Sequence, residues 1–370
     1  VRPRLFGIGI GIGIGIGIGI GMISAAASGS PAAPSPRQGQ QDEIELGDRT
    51  TAIGYQRTFH NEDLNAWRKR VPQVRLVAVK SSIDGQTQKV LWYAPPNNAE
   101  KKPLLVVLHS WSADFKQNLD IPFAEFCIEN SWALIHPDFR GGNRRPEATA
   151  SDLANQDVVD AVNLARKRTA IDDARIYLVG YSGGAMESLV LAGKHPELWA
   201  GVAVWGAIYD VARWYHEDHG KDVHYRGEIA ASCGGVPEPG SAAESECRKR
   251  SPMTYLPQAA GRVPILIAHG VHDRTVSPHH ALQAFNALAA PADRINDSQI
   301  KTIDSRGEIP SQLKADAPQP YQSLFQRAGA SLRMARQSQA VTLFLYDGNH
   351  DMVYNVAVRW LSEQRRASGS

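Results

Sequence analysis

The stretch "RIYLVGYSGGAMESLVLAG", residues 175–193, sets Gly180, Tyr181, Ser182, Gly183 and Gly184 between an apolar run that reads as a strand and an amphipathic run that reads as a helix. A serine in so sharp a strand-to-helix turn has a strained backbone and a side chain projecting beyond the strand ends, while the glycines leave room for strand and helix to approach. The helix N-terminus behind it favours developing negative charge. A serine hydroxyl is nonetheless a feeble nucleophile until a base takes its proton, so a histidine and an acid must follow at the ends of later strands. "VPILIAHGVHDRTVSPHH" puts Asp273 just past one strand, and "VTLFLYDGNHDM" puts His350 just past the last. Ser182, Asp273 and His350 therefore form the expected catalytic set, in that chain order.

Other residues compete for these roles. Asp347 and Asp351 are nearer to His350 in sequence, but a neighbour on the same short loop is poorly placed to orient the imidazole from behind, so Asp273 is the expected acid. His269 and His272 read as packing or hydrogen-bonding residues. His216, His219 and His224 in "HEDHGKDVH" lack the i, i+4 helical spacing of a zinc peptidase and read as solvated polar residues, so no metal and no cofactor is expected. An acyl-transfer site also needs two backbone N–H groups facing the carbonyl oxygen. Gly183, directly after the nucleophile, is the expected first donor. "LHSWSADF", after an earlier strand, is expected to supply the second from Trp111, or failing that Ser110, with the Trp111 ring bordering the acyl site. "DFRGGNRRPEA" offers Arg140, Arg144 and Arg145 either to a substrate carboxylate or to solvent, the latter being the expectation.

Elements that position these residues follow from periodicity. "QVRLVAVKSS" and "TQKVLWYAP" read as a hairpin turned by Asp84 and Gly85. Near-continuous Val, Ile and Leu in "PLLVVLHS", "SWALIHPD", "RIYLVGYS", "WAGVAVWG", "VPILIAHG" and "VTLFLYDG" suits parallel strands buried on both faces. Helices such as "LANQDVVDAVNLARKR" and "MVYNVAVRWLSEQRR" alternate with them, so the fold class is α/β, a doubly wound, mostly parallel sheet flanked by helices. Two excursions break the rhythm. Residues 207–262 carry no clear strand and are dense in Trp, Tyr and His, and residues 290–338 separate a helix from the last strand; both read as lid-type insertions.

Taken together, "KKPLLVVLHSW", "HPDFRGGNRR", "GYSGG", "RSPMTYL", "HGVHDRTV" and "DGNHD" resemble an α/β-hydrolase of the prolyl oligopeptidase-like branch, from about residue 101 to the C-terminus. The resemblance implies the fold and the Ser-Asp-His order, and much less about substrate. The sequence departs from the peptidases of that branch in having too little chain before the first core motif for a β-propeller, and in the long excursion between Asp273 and His350.

The chain opens unusually. "FGIGIGIGIGIGIGIGM" follows Arg2 and Arg4 and precedes Ala25, Ala26 and Ala27, the layout of a basic start, apolar middle and small-residue exit. A cleaved export signal over 1–27 is the expectation, with an uncleaved anchor or a repeat lying upstream of a start at Met22 as the alternatives. Glycine at every second position costs about 1 kcal/mol each in a helix, so no stable membrane anchor is expected. Residues 28–47, rich in Ala, Ser, Pro, Gly and Gln, read as a disordered linker, leaving 48–370 as one catalytic domain. The charge balance is 40 Lys and Arg against 38 Asp and Glu, and Arg2 with Arg4 accounts for the whole excess. Nothing here would hold nucleic acid. Cys127 reads as a small core residue. Cys233 and Cys247 bracket "GGVPEPGSAAESE", a loop unable to build a core, and in an oxidising compartment a disulfide would close it; two free thiols are the alternative.

The expected function is a secreted or periplasmic serine hydrolase that cleaves a carboxylic ester through an acyl-enzyme. Its substrate would be a small molecule, a carbohydrate ester or a short peptide. Alternatives are a peptidase of the prolyl oligopeptidase family acting on short peptides, and a non-catalytic hydrolase-fold binding protein. Trp111, Tyr181, Trp205, Tyr209 and Trp214, with Tyr215, are candidates for a substrate wall, Trp205 being equally explained as core packing.

Overall fold

A computed structural model describes residues 63–96, 100–217, 224–313 and 319–367. The chain divides into two units, 1–43 and 44–370, and every described residue belongs to the second. The expected leader over 1–27, the linker over 28–47 and His219 lie outside the described residues. Among those described, no helix is long and apolar enough to cross a membrane.

The described chain runs α1 (Leu64–Arg70), β1 (Arg75–Lys80), β2 (Thr87–Tyr93), β3 (Lys102–Leu108), α2 (Ile121–Glu129), β4 (Ala133–Pro137), α3 (Asp152–Arg168), β5 (Ile171–Tyr181), α4 (Gly183–Lys194) and β6 (Gly201–Trp205). It continues through α5 (Val211–His216), α6 (His224–Cys233), α7 (Ala242–Lys249), α8 (Pro252–Tyr255), β7 (Ile265–Gly270), α9 (Pro278–Leu288), α10 (Asp297–Arg306), α11 (Gln319–Arg327), β8 (Leu332–Ser338), β9 (Val341–Tyr346) and α12 (Tyr354–Ser362). The nine strands form one sheet in the order β1-β2-β4-β3-β5-β6-β7-β9-β8. Its centre, from β4 to β9, is parallel; the β1–β2 hairpin joins antiparallel at one edge and β8 at the other.

Alternation of side chains along each strand sorts the core. Leu104, Val106, Leu178, Val202, Val204, Ile265 and Ile267 face one side, against α3, α4, α9 and α10. Leu105, Val107, Tyr177, Val179, Ala203 and Leu266 face the other, against α1, α2, α11 and α12. Tyr181 and Trp205 continue this second series and lie in that core, Trp205 packing on Phe325 and Tyr346. They form no substrate wall: strand parity carries both rings away from the opposite face. Gly184 lets α4 approach β3, since a Cβ there would come within 2.2 Å of the Leu108 carbonyl oxygen.

The two excursions are built differently. The described residues of 207–262 are mainly helical, and α5, α6 and α7 with the turn before them gather Ile208, Val211, Trp214, Ile229 and Cys247 around Trp111, Met186 and Val276. This cluster caps the carboxyl ends of the strands. Cys233 and Cys247 form a disulfide within it. In the second excursion, residues 332–338, which carry no clear strand signal, form β8, and α10 and α11 cover opposite faces of the sheet.

Candidate active site

Three carboxyl-edge turns bring the expected residues together. Ser182 sits between β5 and α4 at φ 54°, a positive value that a non-glycine residue adopts only when its surroundings impose it. Its N–H is held by the Trp205 carbonyl at 2.8 Å. Ser182 Oγ is 2.9 Å from His350 Nε2, and His350 Nδ1 is 2.6 Å from Asp273 Oδ2. This pattern has Nδ1–H donating to Asp273 and Nε2 accepting from the serine hydroxyl. The three residues are 5%, 9% and 2% exposed for Ser182, His350 and Asp273 respectively.

The acid is locked by its own loop. Asp273 Oδ1 accepts the N–H groups of Thr275 and Val276 at 2.9 and 3.0 Å. His269 Nε2 approaches Oδ2 at 3.2 Å while also meeting the Val276 carbonyl at 2.9 Å. Burial works to raise the Asp273 pKa, but the charge of His350 and hydrogen bonds from His269 and His350 outweigh it and hold the carboxyl below the usual range. The Tyr181 hydroxyl donates to the His350 carbonyl at 2.7 Å, so this residue steadies the histidine loop. Asp347 points elsewhere, pairing with His272 at 3.0 Å and Arg333 at 3.4 Å, and Asp351 Oδ2 accepts the Asn349 N–H at 2.7 Å.

Two backbone N–H groups remain without an acceptor among the described residues beside Ser182. Gly183 opens α4, where helix geometry leaves the first N–H groups unpaired. Trp111 N–H has no partner either, whereas Ser110 N–H and Oγ both donate to Gln117 Oε1, at 3.1 and 2.5 Å. Gln117 is fixed in turn by Asp120, which also meets His136 at 2.8 Å. The Trp111 ring stands edge-on to Trp214 at 4.8 Å, and its Nε1–H donates to Glu228 of α6 at 2.8 Å. Trp214 Nε1–H donates to the Thr275 carbonyl at 2.8 Å, tying the cap to the acid loop. Tyr209 is half-buried against the core behind, and Tyr215 packs at the margin of the cap.

The arginine loop departs from expectation at one position. Arg140 is buried, bonded to Asp157 at 2.6 Å and Asp84 at 2.8 Å, and is open to neither substrate nor solvent. Arg144 and Arg145 are exposed. Glu228 is the neighbour of the site that sequence reasoning left out of it, because its partner Trp111 lies far away in the chain, whereas His269 is hydrogen-bonded as expected. Among the described residues no group of His, Cys, Asp and Glu could hold a metal ion.

Residues 128–307, which include Ser182 and Asp273, match the model of the prolyl oligopeptidase family. The fold is that of an α/β-hydrolase, and this segment is similar to the prolyl oligopeptidase family. No curated protein shows significant similarity to it. Solved structures that align with the chain include the Pyrococcus horikoshii acylaminoacyl peptidase, at 18% identity and TM-score 0.46, covering 58% of this chain and 34% of that one. A Mycobacterium tuberculosis puromycin-hydrolyzing peptidase aligns at 17% identity and TM-score 0.46, covering 58% and 34%. A putative dipeptidyl aminopeptidase IV from Bacteroides ovatus aligns at 19% and TM-score 0.44, covering 58% and 30%. The chain thus aligns with about a third of each of those chains.

Proposed function

We propose that the chain is a serine peptidase that cleaves short peptides through an acyl-enzyme. The observation that carries the chemistry is the hydrogen-bonded line from Ser182 Oγ through His350 to Asp273. Ser182 Oγ attacks the carbonyl carbon, its proton passes to His350 Nε2, and the carbonyl π electrons move onto oxygen. Gly183 and Trp111 N–H stabilise that oxyanion. As the tetrahedral intermediate collapses, the amine leaves with the His350 proton, and water then repeats the sequence to release the acid. Asp273 holds the imidazole and offsets its charge.

The similarity of residues 128–307 to the prolyl oligopeptidase family favours the amide bond over the carboxylic ester expected from sequence, since the same triad serves both. The cap over residues 207–262 and the low exposure of Ser182 favour small substrates. The disulfide fits export to an oxidising compartment, in line with the basic, apolar and small-residue opening. A panel of aminoacyl and short peptidyl anilides, p-nitrophenyl esters and feruloyl or acetyl sugars, run beside Ser182→Ala, tests the reading. Anilide turnover that disappears in Ser182→Ala is expected. Ester turnover with anilides untouched would make the enzyme an esterase, and no turnover with no covalent labelling would make it a binding protein.

A further inference from the structure

Ile265, Ile267 and His269 share one face of β7, and the two isoleucines belong to the core, so strand parity puts an imidazole where the pattern calls for an apolar side chain. His269 is fully buried. A buried polar residue at a core position calls for a reason. Its Nδ1 has no hydrogen-bond partner among the described residues. Its Nε2 lies 2.9 Å from the Val276 carbonyl oxygen and 3.2 Å from Asp273 Oδ2. Both of these neighbours only accept, so the proton of the neutral ring sits on Nε2 with the two oxygens in reach.

Oδ2 is also the oxygen that receives the His350 Nδ1–H, at 2.6 Å, while Oδ1 takes the N–H groups of Thr275 and Val276. An ionised carboxylate has about four lone-pair sites. One donor from His350, one from His269 and two from the backbone fill them, and without His269 a site on the oxygen that His350 uses is left empty. Val276 closes the arrangement, since its N–H holds Oδ1 and its carbonyl holds His269. Tyr346 also faces Asp273, and Asp351 faces Tyr346; burial and these two carboxylates push the phenol pKa far above its ordinary value, so it stays uncharged as the site titrates. We propose that His269 is a positioning residue of the catalytic site, a second imidazole that fixes Asp273 Oδ2 and sets how strongly that oxygen holds the proton of His350. The inference rests on the reading of Ser182, His350 and Asp273 as the triad.

His269→Phe and His269→Leu remove the donor, and His269→Gln puts an amide N–H in its place. Phosphonylation by a fluorophosphonate reads the effect without a specific substrate: Ser182 Oγ bonds to phosphorus, fluoride leaves and the serine proton passes to His350 Nε2. In both apolar variants the plateau rate constant should fall about tenfold, because a carboxylate that is no longer fixed misorients the imidazole. The acid limb of the pH profile should move up by about one pH unit, because Oδ2 keeps more of its charge for the imidazolium. His269→Gln should recover most of both. A residue that only packs would slow labelling without moving the acid limb. That result, wild-type kinetics in the apolar variants, or His269→Gln no better than His269→Leu would overturn the proposal. Thermal melting identifies a variant that fails to fold. If both apolar variants fail, the imidazole NMR spectrum of the wild type decides: an Nε2–H resonance of His269 that shifts in Asp273→Ala is expected, and an Nδ1–H resonance would overturn the proposal. Labelling of Ser182→Ala at the wild-type rate would instead remove the triad reading itself.

Discussion

Residues 207–262 and 290–338 both interrupt the strand and helix alternation, yet they end in different places. The first gathers aromatic and apolar side chains over the carboxyl edge, where Trp214 and Glu228 meet Trp111 and Ser232 meets the strained loop at Thr149. The second is absorbed by the sheet. Ile300 and Ile303 of α10 join one core, Tyr321, Leu324 and Phe325 of α11 join the other, and β8 lengthens the sheet by one antiparallel strand. An insertion's role thus follows from what its apolar face can cover. Where helix periodicity matches an open flank of the sheet it becomes scaffold, and where it matches exposed aromatics at the strand ends it becomes a cap.

The largest effect expected lies at the carboxyl edge that the first insertion covers. Asp273→Asn should lower kcat by about 10⁴ with the fold intact, because an amide cannot hold the required imidazole tautomer or offset its charge. Asp347→Asn, whose partners His272 and Arg333 face solvent, should stay within about tenfold. Steady-state kinetics on the two variants separate them, and the reverse ranking would displace Asp273.

Truncating the second insertion's anchor asks whether it is scaffold alone. Phe325 is fully buried against Trp205, Phe344 and Tyr346, so Phe325→Ala should cost about 3–5 kcal/mol of stability in denaturant titration, with kcat of the folded fraction preserved. A large loss of kcat without loss of stability would erase the contrast between the insertions. Removing the cap's staple should instead cost both stability and activity. Cys233 and Cys247 are 14 residues apart, and the double Ser variant should lose about 3 kcal/mol and kcat/KM together, because α6 carries both Glu228 and Ser232.

A last effect, on the pH dependence of stability rather than on turnover, concerns Glu187, on the helix α4 between cap and sheet. Burial raises its pKa to about 8 against the ordinary 4.5, opposed by the positive charges of Lys194 and Arg250. The folded state therefore binds this proton more tightly than the unfolded one. Stability must fall as pH rises from about 4.5 to about 8 and level off above, by at most about 1.4 kcal/mol per pH unit. Glu187→Gln should flatten the pH dependence of the unfolding midpoint across that window, and an unchanged slope would show that another group sets it.

Much of this was readable in advance, for definite reasons. The six parallel strands are buried on both faces, so their sequences are continuous apolar runs, and the strand-to-helix setting of Ser182 is local. β8 escaped because an edge strand meets solvent, and Arg333, Arg336 and Gln337 dilute its alternation. Trp205 and Tyr181 invited a substrate role by proximity to the strand ends, but strand parity turned both rings into the core. Arg140 looked like a surface cation because its partners, Asp84 and Asp157, come from other elements.

The most direct test of the account is covalent. Wild-type protein treated with a fluorophosphonate, digested and examined by mass spectrometry should carry the adduct on the peptide containing Ser182 and nowhere else, and Ser182→Ala should remain unmodified. Equal labelling of the variant, or an adduct on another residue of the wild type, would contradict the assignment of Ser182 as the nucleophile.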